Sequence, residues 1–399
     1  MKKMIRIEKL NRLSDILEES VAKQEIAGGN LCVIHKGREV YYAQAGYANI
    51  AEKKKMERNT IVRLYSMTKP VTAAAVMLLV ERGMIDLWDP IEKYIPEFAN
   101  ISVTADSRED IGAIKAKRSI TIKDCMNMTS GLPYGDDMDI SSQDVGKVFQ
   151  ELDKRLYSAN PMTTREFAGK LGGCRLDFQP GEGWRYGTSA DVLGAVVEVA
   201  SGMSFGEFLK KEFFEPLGMH DTGFSVSENK RDRLATVYEW TPNGLVEYHD
   251  NHLGICNHMD IEIVFESGGA GLVSTIEDYA RFTQMLMQKG KFAGKEILAA
   301  RTVEYLTSCH LQPHQQAMMK DWENLYGFSY GNLMRVLVKP SLTIMNGSIG
   351  EYGWDGWLGA YFVNMPKEET TFLMMVQRKD SGTFTLTRKL RNALAAALE

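Results

Sequence analysis

The first twenty residues alternate apolar and charged positions in the rhythm of an amphipathic helix. A second helix is predicted where an almost unbroken apolar run, Val71–Val80, follows Pro70. Proline is tolerated in a first helical turn because the N–H that it lacks has no helical partner there. Gly83 supplies the residue type that helix C-caps favour. Because the run has no polar face, we expect this second helix to be buried on most of its sides.

Strand patterns lie on both sides of a mainly helical middle region. Residues 29–46 predict two strands joined by a turn at Lys36–Gly37. Residues 89–228 carry mostly helical signals with long polar loops. Beyond residue 233 the pattern predicts five further strands and a closing helix, namely Ala235–Trp240, Gly271–Ser274, Tyr326–Tyr330, Tyr361–Met365, Thr371–Gln377 and a helix from about Thr385 to Leu398.

These patterns favour one domain of the α/β class that spans residues 1–399. No repeat is present, and no linker rich in Pro, Gly or Ser divides the chain. We expect a sheet subdomain from approximately residues 1–88 and 233–399. A helical subdomain of approximately residues 89–232 is then inserted into it.

Composition excludes several classes of protein. Of the 399 residues, 44% are hydrophobic and 25% are charged, as in ordinary globular proteins. The net charge of −5 and the lack of a basic block argue against a nucleic-acid partner. No apolar run reaches the ~18 residues of a membrane span, and the charged first residues are unlike a signal peptide.

The cysteines bear on the cellular compartment. The chain has five, at positions 32, 125, 174, 256 and 309, without a C-x-x-C pair. An odd number of scattered cysteines indicates reduced thiols rather than a disulfide framework. We therefore expect a cytoplasmic protein whose partner is a small molecule, not a nucleic acid or a membrane. None of these patterns sets the oligomeric state.

Two histidine pairs come near the spacing of metal ligands. His249 and His252 form one pair, and His310 and His314 form the other. Neither belongs to an H-E-x-x-H motif, and Pro313 would break a helix that carried the second pair. The chain also lacks the G-x-x-x-x-G-K-[ST] loop that binds phosphates. We expect loop histidines, no metal and no cofactor.

Two G-x-S-x-G sequences are candidates for the nucleophile turn of an α/β-hydrolase, at residues 202–206 and 327–331. That turn requires a strand before the serine and a helix after it. Ser204 instead follows a helical run, and Ser329 lies in a predicted strand that continues through residue 338. Both contexts disfavour an α/β-hydrolase.

A third nucleophile pattern, Ser-x-x-Lys, occurs at Ser20–Lys23, Ser66–Lys69 and Ser227–Lys230. Three residues apart on a helix, the two side chains share one face, so the amine can reach the hydroxyl. A lysine removed from water loses its proton more easily and can act as a base. Ser66 alone precedes a buried helix, where it is either a nucleophile or an N-cap. The other two pairs are predicted to be solvated surface.

Several segments resemble motifs of the serine β-lactamase and penicillin-binding-protein superfamily. L-Y-S-M-T-K-P at residues 64–70 is similar to its nucleophile motif. Residues 121–132 are similar to its T-I-x-x-L-L-x-H-T-S-G-L stretch, with Met128 in place of the histidine. P-G-E-G-W-R-Y-G-T at residues 180–188 resembles the second motif, and G-W-D-G-W at 353–357 stands where esterases carry W-G-G. The chain is identified as a member, closest to the class C β-lactamase-like esterases (family VIII carboxylesterases).

The resemblance implies a β-lactamase/transpeptidase-like fold, in which helices flank an antiparallel sheet that carries an inserted, mainly helical subdomain. It also implies Ser66 as nucleophile, with Lys69 and Tyr186 as the proton-transfer pair. Tyr186 would be the base if Lys69 stays cationic, and the sequence leaves that choice open. The backbone N–H groups of Ser66 and Trp357 would form the oxyanion hole.

The same resemblance places Trp354, Gly356, Thr188 and Tyr134 along the substrate. Trp354 stands where β-lactamases have the lysine of K-T-G, and Asp355 is beside it. The cation that attracts a substrate carboxylate is therefore replaced, and an anion is added. We expect small uncharged esters to be good substrates, and carboxylate-bearing β-lactams to be poor ones.

Other activities on the same scaffold stay open. A β-lactamase, a D-aminopeptidase or an acyltransferase would use the same serine, and a binding protein would use none of this chemistry. Specificity for the acyl group is expected in loops such as residues 135–171.

Overall fold

The computed structural model describes residues 4–104, 112–136 and 138–398. Their strands, in chain order, are β1 (Gly28–His35), β2 (Arg38–Asn49), β3 (Lys54–Lys55), β4 (Val62–Arg63), β5 (Ser102–Thr104), β6 (Ala113–Lys115), β7 (Tyr238–Thr241), β8 (Gly244–Glu247), β9 (Val273–Ser274), β10 (Lys291–Phe292), β11 (Lys295–Glu296), β12 (Phe328–Gly331), β13 (Met334–Leu337), β14 (Tyr352–Asp355), β15 (Tyr361–Met365) and β16 (Thr370–Val376).

The α-helices of the same residues are α1 (Ile7–Ala22), α2 (Thr68–Glu81), α3 (Ile122–Met126), α4 (Ile140–Arg155), α5 (Thr164–Leu171), α6 (Ser189–Ser201), α7 (Phe205–Leu209), α8 (Glu215–Leu217), α9 (Ile276–Met287), α10 (Ala300–Leu306), α11 (Pro313–Ala317) and α12 (Thr385–Ala395). A π-helical segment, Lys210–Phe214, joins α7 to α8.

Eight strands form one antiparallel sheet in the order β12-β13-β14-β15-β16-β1-β2-β3. The two strands predicted from residues 29–46 are β1 and β2, and both turn residues, Lys36 and Gly37, have positive φ. β1 pairs with β16 on one side and β2 on the other, and it is buried along its whole length. Such a strand needs apolar side chains on both faces, because both faces of the sheet are covered.

The alternation of side chains along β1 divides the core between the two faces. Leu31 and Val33 lie in one apolar cluster with leucines of α1 and α12. Cys32 and Ile34 lie in the larger cluster that includes α2, α6 and α9. Removal of each such side chain from water stabilises the fold by roughly 1.5–3 kcal/mol. The prediction of an antiparallel sheet flanked by helices is thereby confirmed.

The predicted apolar helix belongs to the larger of these two clusters. The run Val71–Val80 lies within α2, which begins two residues after Ser66 and packs against α6. Gly83 follows the helix with φ +68°, as the C-cap prediction requires. Residues 89–232 contribute α3 to α8, and also the short pair β5–β6, which the sequence pattern did not predict.

The strand predicted to run through residue 338 is wrong. The chain instead turns at Asn332 and Leu333, which have φ of +50° and +61°, and returns as β13. Gly331 and Asn332 are residues typical of a turn, but the apolar residues after them also fit a continued strand, because β13 is as fully buried as β12.

No single helix in the described residues is both long and apolar enough to cross a membrane. One bent pair, Ser189–Ser201 with Phe205–Leu217, has the necessary length and composition only when its two parts are taken together.

Candidate active site

Ser66 lies in a single 3-10 turn, Tyr65–Met67, that leads directly into α2. Tyr65 has φ +45°, a left-handed conformation that typically costs about 1–3 kcal/mol and needs support from its surroundings. Leu64 N–H donates to the carbonyl of Leu272 (2.9 Å), and the Tyr279 hydroxyl donates to the Met67 carbonyl (2.7 Å). These bonds hold the half-buried Ser66 at the positive end of the helix dipole.

Lys69 is fully buried one turn further along α2. Its Nζ lies 3.1 Å from Ser66 Oγ, 2.8 Å from Tyr134 Oη and 2.8 Å from the Gly269 carbonyl oxygen. Burial lowers the Lys69 pKa to about 7, against the opposing charges of Asp191 and Asp355. A neutral amine has two N–H donors and one lone pair, so it can donate to Tyr134 and Gly269 while it accepts from Ser66.

Tyr186 is the third member of the cluster. Its hydroxyl accepts from Trp354 Nε1 (3.0 Å) and is hydrogen-bonded to Ser66. Burial raises the Tyr186 pKa well above its ordinary value. Lys69 Nζ lies over the Tyr186 ring, 4.6 Å from its centroid. The raised pKa keeps the Tyr186 hydroxyl protonated and so disfavours Tyr186 as the base.

Two loops meet to bring Tyr134 beside Tyr186. Gly187 has no side chain at a point where a Cβ would overlap the Leu132 carbonyl oxygen, so the backbones can approach closely. Thr188, predicted to contact substrate, is fully buried, and its hydroxyl donates to the Pro133 carbonyl (3.2 Å). This contact ties the two loops together and leaves Thr188 no exposed atom to offer a substrate.

The end of β14 lies against the Ser66 turn. A Cβ on Gly356 would overlap the carbonyl oxygen of Leu64, so only glycine allows this approach. Trp357 follows, and its ring meets Tyr65 edge-on at 5.0 Å between centroids. Within the described part of the chain, the backbone N–H of Trp357 has no hydrogen-bond acceptor. The predicted oxyanion-hole donor is thus free and adjacent to the Ser66 turn.

The two residues before Gly356 are not arranged as the sequence suggested. Trp354 is buried, so it presents no exposed surface to a ligand, and its Nε1 donates to the Tyr186 hydroxyl. The Asp355 carboxylate is paired with the buried guanidinium of Arg335 (3.1 Å) and accepts from the Thr383 hydroxyl. The negative charge of Asp355, which we expected beside the substrate, is therefore largely neutralised by Arg335.

Asp191, on α6, is a buried carboxylate that sequence reasoning missed. It accepts from Ser267 Oγ (2.5 Å) and from the N–H of Gly269 (3.0 Å), the residue whose carbonyl holds Lys69. Asp191 thus positions the peptide that holds Lys69, and its charge favours the protonated lysine. The available signal was an acidic residue directly before the apolar run of α6, a helix whose other acidic residue, Glu198, is less buried.

His252 was predicted to be a polar loop residue, and the structure places it against the site. Its ring stacks on the Trp357 indole with 4.0 Å between centroids. Burial lowers the His252 pKa to about 4, so the imidazole is neutral around pH 7. No periodicity or motif marked this contact in the sequence.

The competing serines take structural roles. Ser204 caps α7 through a capping box with Glu207, and Ser329 lies within β12, so neither occupies a nucleophile turn. Ser20, predicted to be solvated, is in fact buried, and its hydroxyl donates to Glu25 (2.6 Å). The helix α1 turns this position toward the sheet because it follows Leu13 and Leu17 on the apolar face.

The chain is similar to known proteins over almost its whole length. The Beta-lactamase family model matches residues 13–397. Protein Rv1367c of Mycobacterium tuberculosis is 28% identical over 88% of this chain and 86% of its own. Esterase EstB of Burkholderia gladioli is 27% identical over 96% and 95%, respectively. The solved structure of EstCE1, described as a hydrolase with promiscuous acyltransferase activity, superposes with a TM-score of 0.80 at 23% identity, over 97% of this chain and 99% of its own.

Proposed function

Because this chain belongs to the Beta-lactamase family, we propose that it is a serine hydrolase that forms an acyl-enzyme at Ser66 and acts as a carboxylesterase on small uncharged esters. The observation that carries the proposal is the buried Lys69 amine, 3.1 Å from the serine hydroxyl and with its pKa lowered to about 7. A lysine of that pKa is half neutral at physiological pH and can take a proton from serine.

Acylation begins when neutral Lys69 takes the proton of Ser66 as Oγ attacks the ester carbonyl. The carbonyl π electrons move to oxygen, and the N–H groups of Ser66 and Trp357 stabilise the oxyanion. When the oxyanion collapses, the bond to the alcohol oxygen breaks. Tyr186, which is hydrogen-bonded to Ser66, donates its proton to that oxygen and is reprotonated from Lys69. The alcohol leaves, and the acyl group stays on Oγ.

Deacylation repeats the same steps with water as nucleophile. The neutral pair formed by Lys69 and Tyr186 accepts the proton of water, a second tetrahedral oxyanion forms in the same N–H pair, and Ser66 regains its proton as the acid leaves. Tyr134 Oη, 2.8 Å from Nζ, keeps the amine aimed at Ser66 throughout.

The preference for uncharged substrates is supported by the residues around β14. The position of the K-T-G lysine is taken by Trp354, whose only polar atom is engaged by Tyr186. The nearby Arg335 is buried and paired with Asp355, so it offers no accessible charge to a carboxylate. Loss of one charge-assisted contact weakens binding by roughly tenfold to a hundredfold.

A fluorophosphonate probe tests the serine mechanism directly. The wild-type chain should be labelled at Ser66, and Ser66→Ala should not be labelled, whereas Ser204→Ala should be labelled like the wild type. A wild-type chain that resists the probe would be a binding protein, and a labelled Ser66→Ala variant would place the nucleophile elsewhere.

A substrate panel then tests the specificity. Short neutral esters should be hydrolysed with a kcat/KM at least about tenfold above that for an anionic cephalosporin. A cephalosporin turned over within tenfold of the best ester would contradict the esterase assignment and favour a β-lactamase.

A further inference from the structure

Trp322 has a half-exposed indole that packs against Tyr186, the proposed proton donor. It lies between two 3-10 turns, Met318–Asp321 and Glu323–Leu325, and 41% of its surface is exposed. Its ring meets Tyr186 edge-on at 5.1 Å between centroids and Trp184 at 5.8 Å. A large apolar ring left in water next to reacting groups is typical of a ligand-binding surface.

The segment that carries Trp322 is anchored to the site on both sides. The Gln315 side chain donates to the carbonyl of Gly181 (2.7 Å), which lies in the loop that leads to Tyr186. The Gln316 side chain donates to the Phe328 carbonyl on β12 (2.8 Å). Leu325 is buried in the core. These contacts fix the indole in place before a ligand arrives, which lowers the entropy that binding must lose.

The aromatic rings of the described residues form two separate groups around Ser66. One contains Trp357, Tyr65, His252 and Tyr248, on the side of the oxyanion-hole N–H. The other contains Trp322 and Tyr186. In acylation, Tyr186 must touch the oxygen that leaves, so the alcohol part of an ester departs on the Tyr186 side. The Trp322 group therefore faces the alcohol, not the acyl chain.

Trp322 also lines a cavity of about 630 Å³, a volume within the usual range for small ligands. Among the described residues, Ser66, Lys69 and Tyr186 are not part of that lining, and Trp322 joins the cavity to the catalytic cluster through its contact with Tyr186. Ile344, about half exposed, adds a second apolar wall. The rest of the lining is polar, namely Asp321, Glu323, Asn324 and Arg388. An apolar group would therefore rest on the two apolar side chains, Trp322 and Ile344.

We propose that Trp322 is the apolar wall of the alcohol subsite, where it selects esters of aromatic or bulky apolar alcohols. The inference rests on the proposed esterase function and adds the identity of the half of the substrate that Trp322 contacts. The indole would stack against the ring or alkyl group of the alcohol while Tyr186 protonates the adjoining oxygen.

The test compares Trp322→Ala with wild type on methyl, cyclohexylmethyl and benzyl acetates. The variant-to-wild-type ratio of kcat/KM cancels the intrinsic reactivity of each ester. That ratio should fall roughly tenfold for the benzyl ester and stay within about twofold for the methyl ester. Trp240→Ala, which removes a 48% exposed indole on β7, should leave all three ratios near one.

Deacylation gives a second readout, because every acetate yields the same acetyl-enzyme after the alcohol has left. The deacylation rate of Trp322→Ala, measured after the burst with p-nitrophenyl acetate, should equal that of wild type. A slower deacylation, or equal losses for methyl and benzyl esters, would make Trp322 a support for Tyr186 and overturn the subsite.

Two further arms keep the outcome clear. Methyl esters of acetic and phenylacetic acid should show the same variant-to-wild-type ratio, and a loss confined to phenylacetate would assign Trp322 to the acyl group instead. If Trp322→Ala does not fold, Trp322→Leu takes its place. Its kcat/KM should fall for benzyl acetate only and should be retained for cyclohexylmethyl acetate. An inactive Ser66→Ala with no benzyl preference in wild type would refute the subsite alone, whereas an active Ser66→Ala would refute the proposed function.

Discussion

The chain presents the same Ser-x-x-Lys spacing in two contrasting regions. Ser66–Lys69 stands at the tip of a buried helix, with its lysine wholly removed from solvent. Ser227–Lys230 stands at a surface 3-10 turn, where Ser227 bonds Asn229 and Lys230 lies 2.8 Å from the carboxylate of Asp221.

The difference lies in what surrounds each amine. Lys69 has three neutral oxygen partners and a burial that expels its charge, so its pKa falls. Lys230 is paired with a carboxylate whose own pKa is held at about 2, first by Arg233 and then by Lys230 itself. The ion pair with Asp221 leaves the Lys230 amine without the buried, neutral surroundings that Lys69 has. The spacing brings the two groups together. Burial of the amine among neutral oxygen atoms, with none of the described carboxylates bonded to it, makes the pair reactive.

The largest difference between the two regions is expected when the hydroxyl of Ser66 or of Ser227 is removed. Ser66→Ala should lower kcat on a neutral ester by more than about a thousandfold, because the acyl-enzyme can no longer form. Ser227→Ala should stay within about twofold of wild type. Steady-state kinetics with both variants, checked for folding by circular dichroism, measures the contrast, and equal effects would remove the distinction between the two regions.

Exchange of the two lysines for arginine is expected to have the next largest effect. Lys69→Arg should lose roughly a hundredfold or more, nearly as much as Lys69→Ala, since arginine cannot give up its proton. Lys230→Arg keeps its ion pair with Asp221 and should retain full activity. If Lys69→Arg kept more than a tenth of wild-type kcat/KM, Lys69 would be a fixed charge and Tyr186 the sole base.

The pH profile sharpens the comparison further. Since the neutral amine is the active form, kcat/KM should rise with pH through about 7, the Lys69 pKa. The Asp191 charge stabilises protonated Lys69, so Asp191→Asn should lower that pKa and move the acidic limb to lower pH. Asp278→Asn, which removes another buried carboxylate at the start of α9, should leave the limb in place. A limb unmoved in Asp191→Asn would leave Asp191 with a structural role only.

The smallest effect is expected at the third Ser-x-x-Lys pair. Ser20 donates a buried hydrogen bond to Glu25, so Ser20→Ala should lower the free energy of unfolding by about 1 kcal/mol with no change in kcat. Ser227→Ala should cost less than about 0.5 kcal/mol. Urea denaturation of both variants distinguishes them, and equal stabilities would mean that the Ser20 bond contributes nothing.

The local pattern was sufficient for the elements that hold the site. Pro70, the apolar run and Gly83 predicted α2, and the structure has that helix, because helix signals depend on residues only a few positions apart. Apolar runs, with a turn at Lys36–Gly37 between the first two strands, likewise predicted β1, β2, β15 and β16. The buried hairpin at Asn332 was missed because the apolar residues on both sides of Gly331–Asn332 also fit one continuous strand, and only the pairing of β12 with β13 distinguishes the two.

The sequence by itself therefore determined α2 and the central strands, and, through the resemblance of its motifs, the cluster of Ser66, Lys69 and Tyr186 that the structure brings together. Only the tertiary structure decided that burial lowers the Lys69 pKa, that Asp191 positions the Gly269 peptide, and that Trp322 stands beside Tyr186. The reason is physical: a pKa depends on every group that replaces water around an amine. Here those groups come from positions as far apart in sequence as 134 and 269.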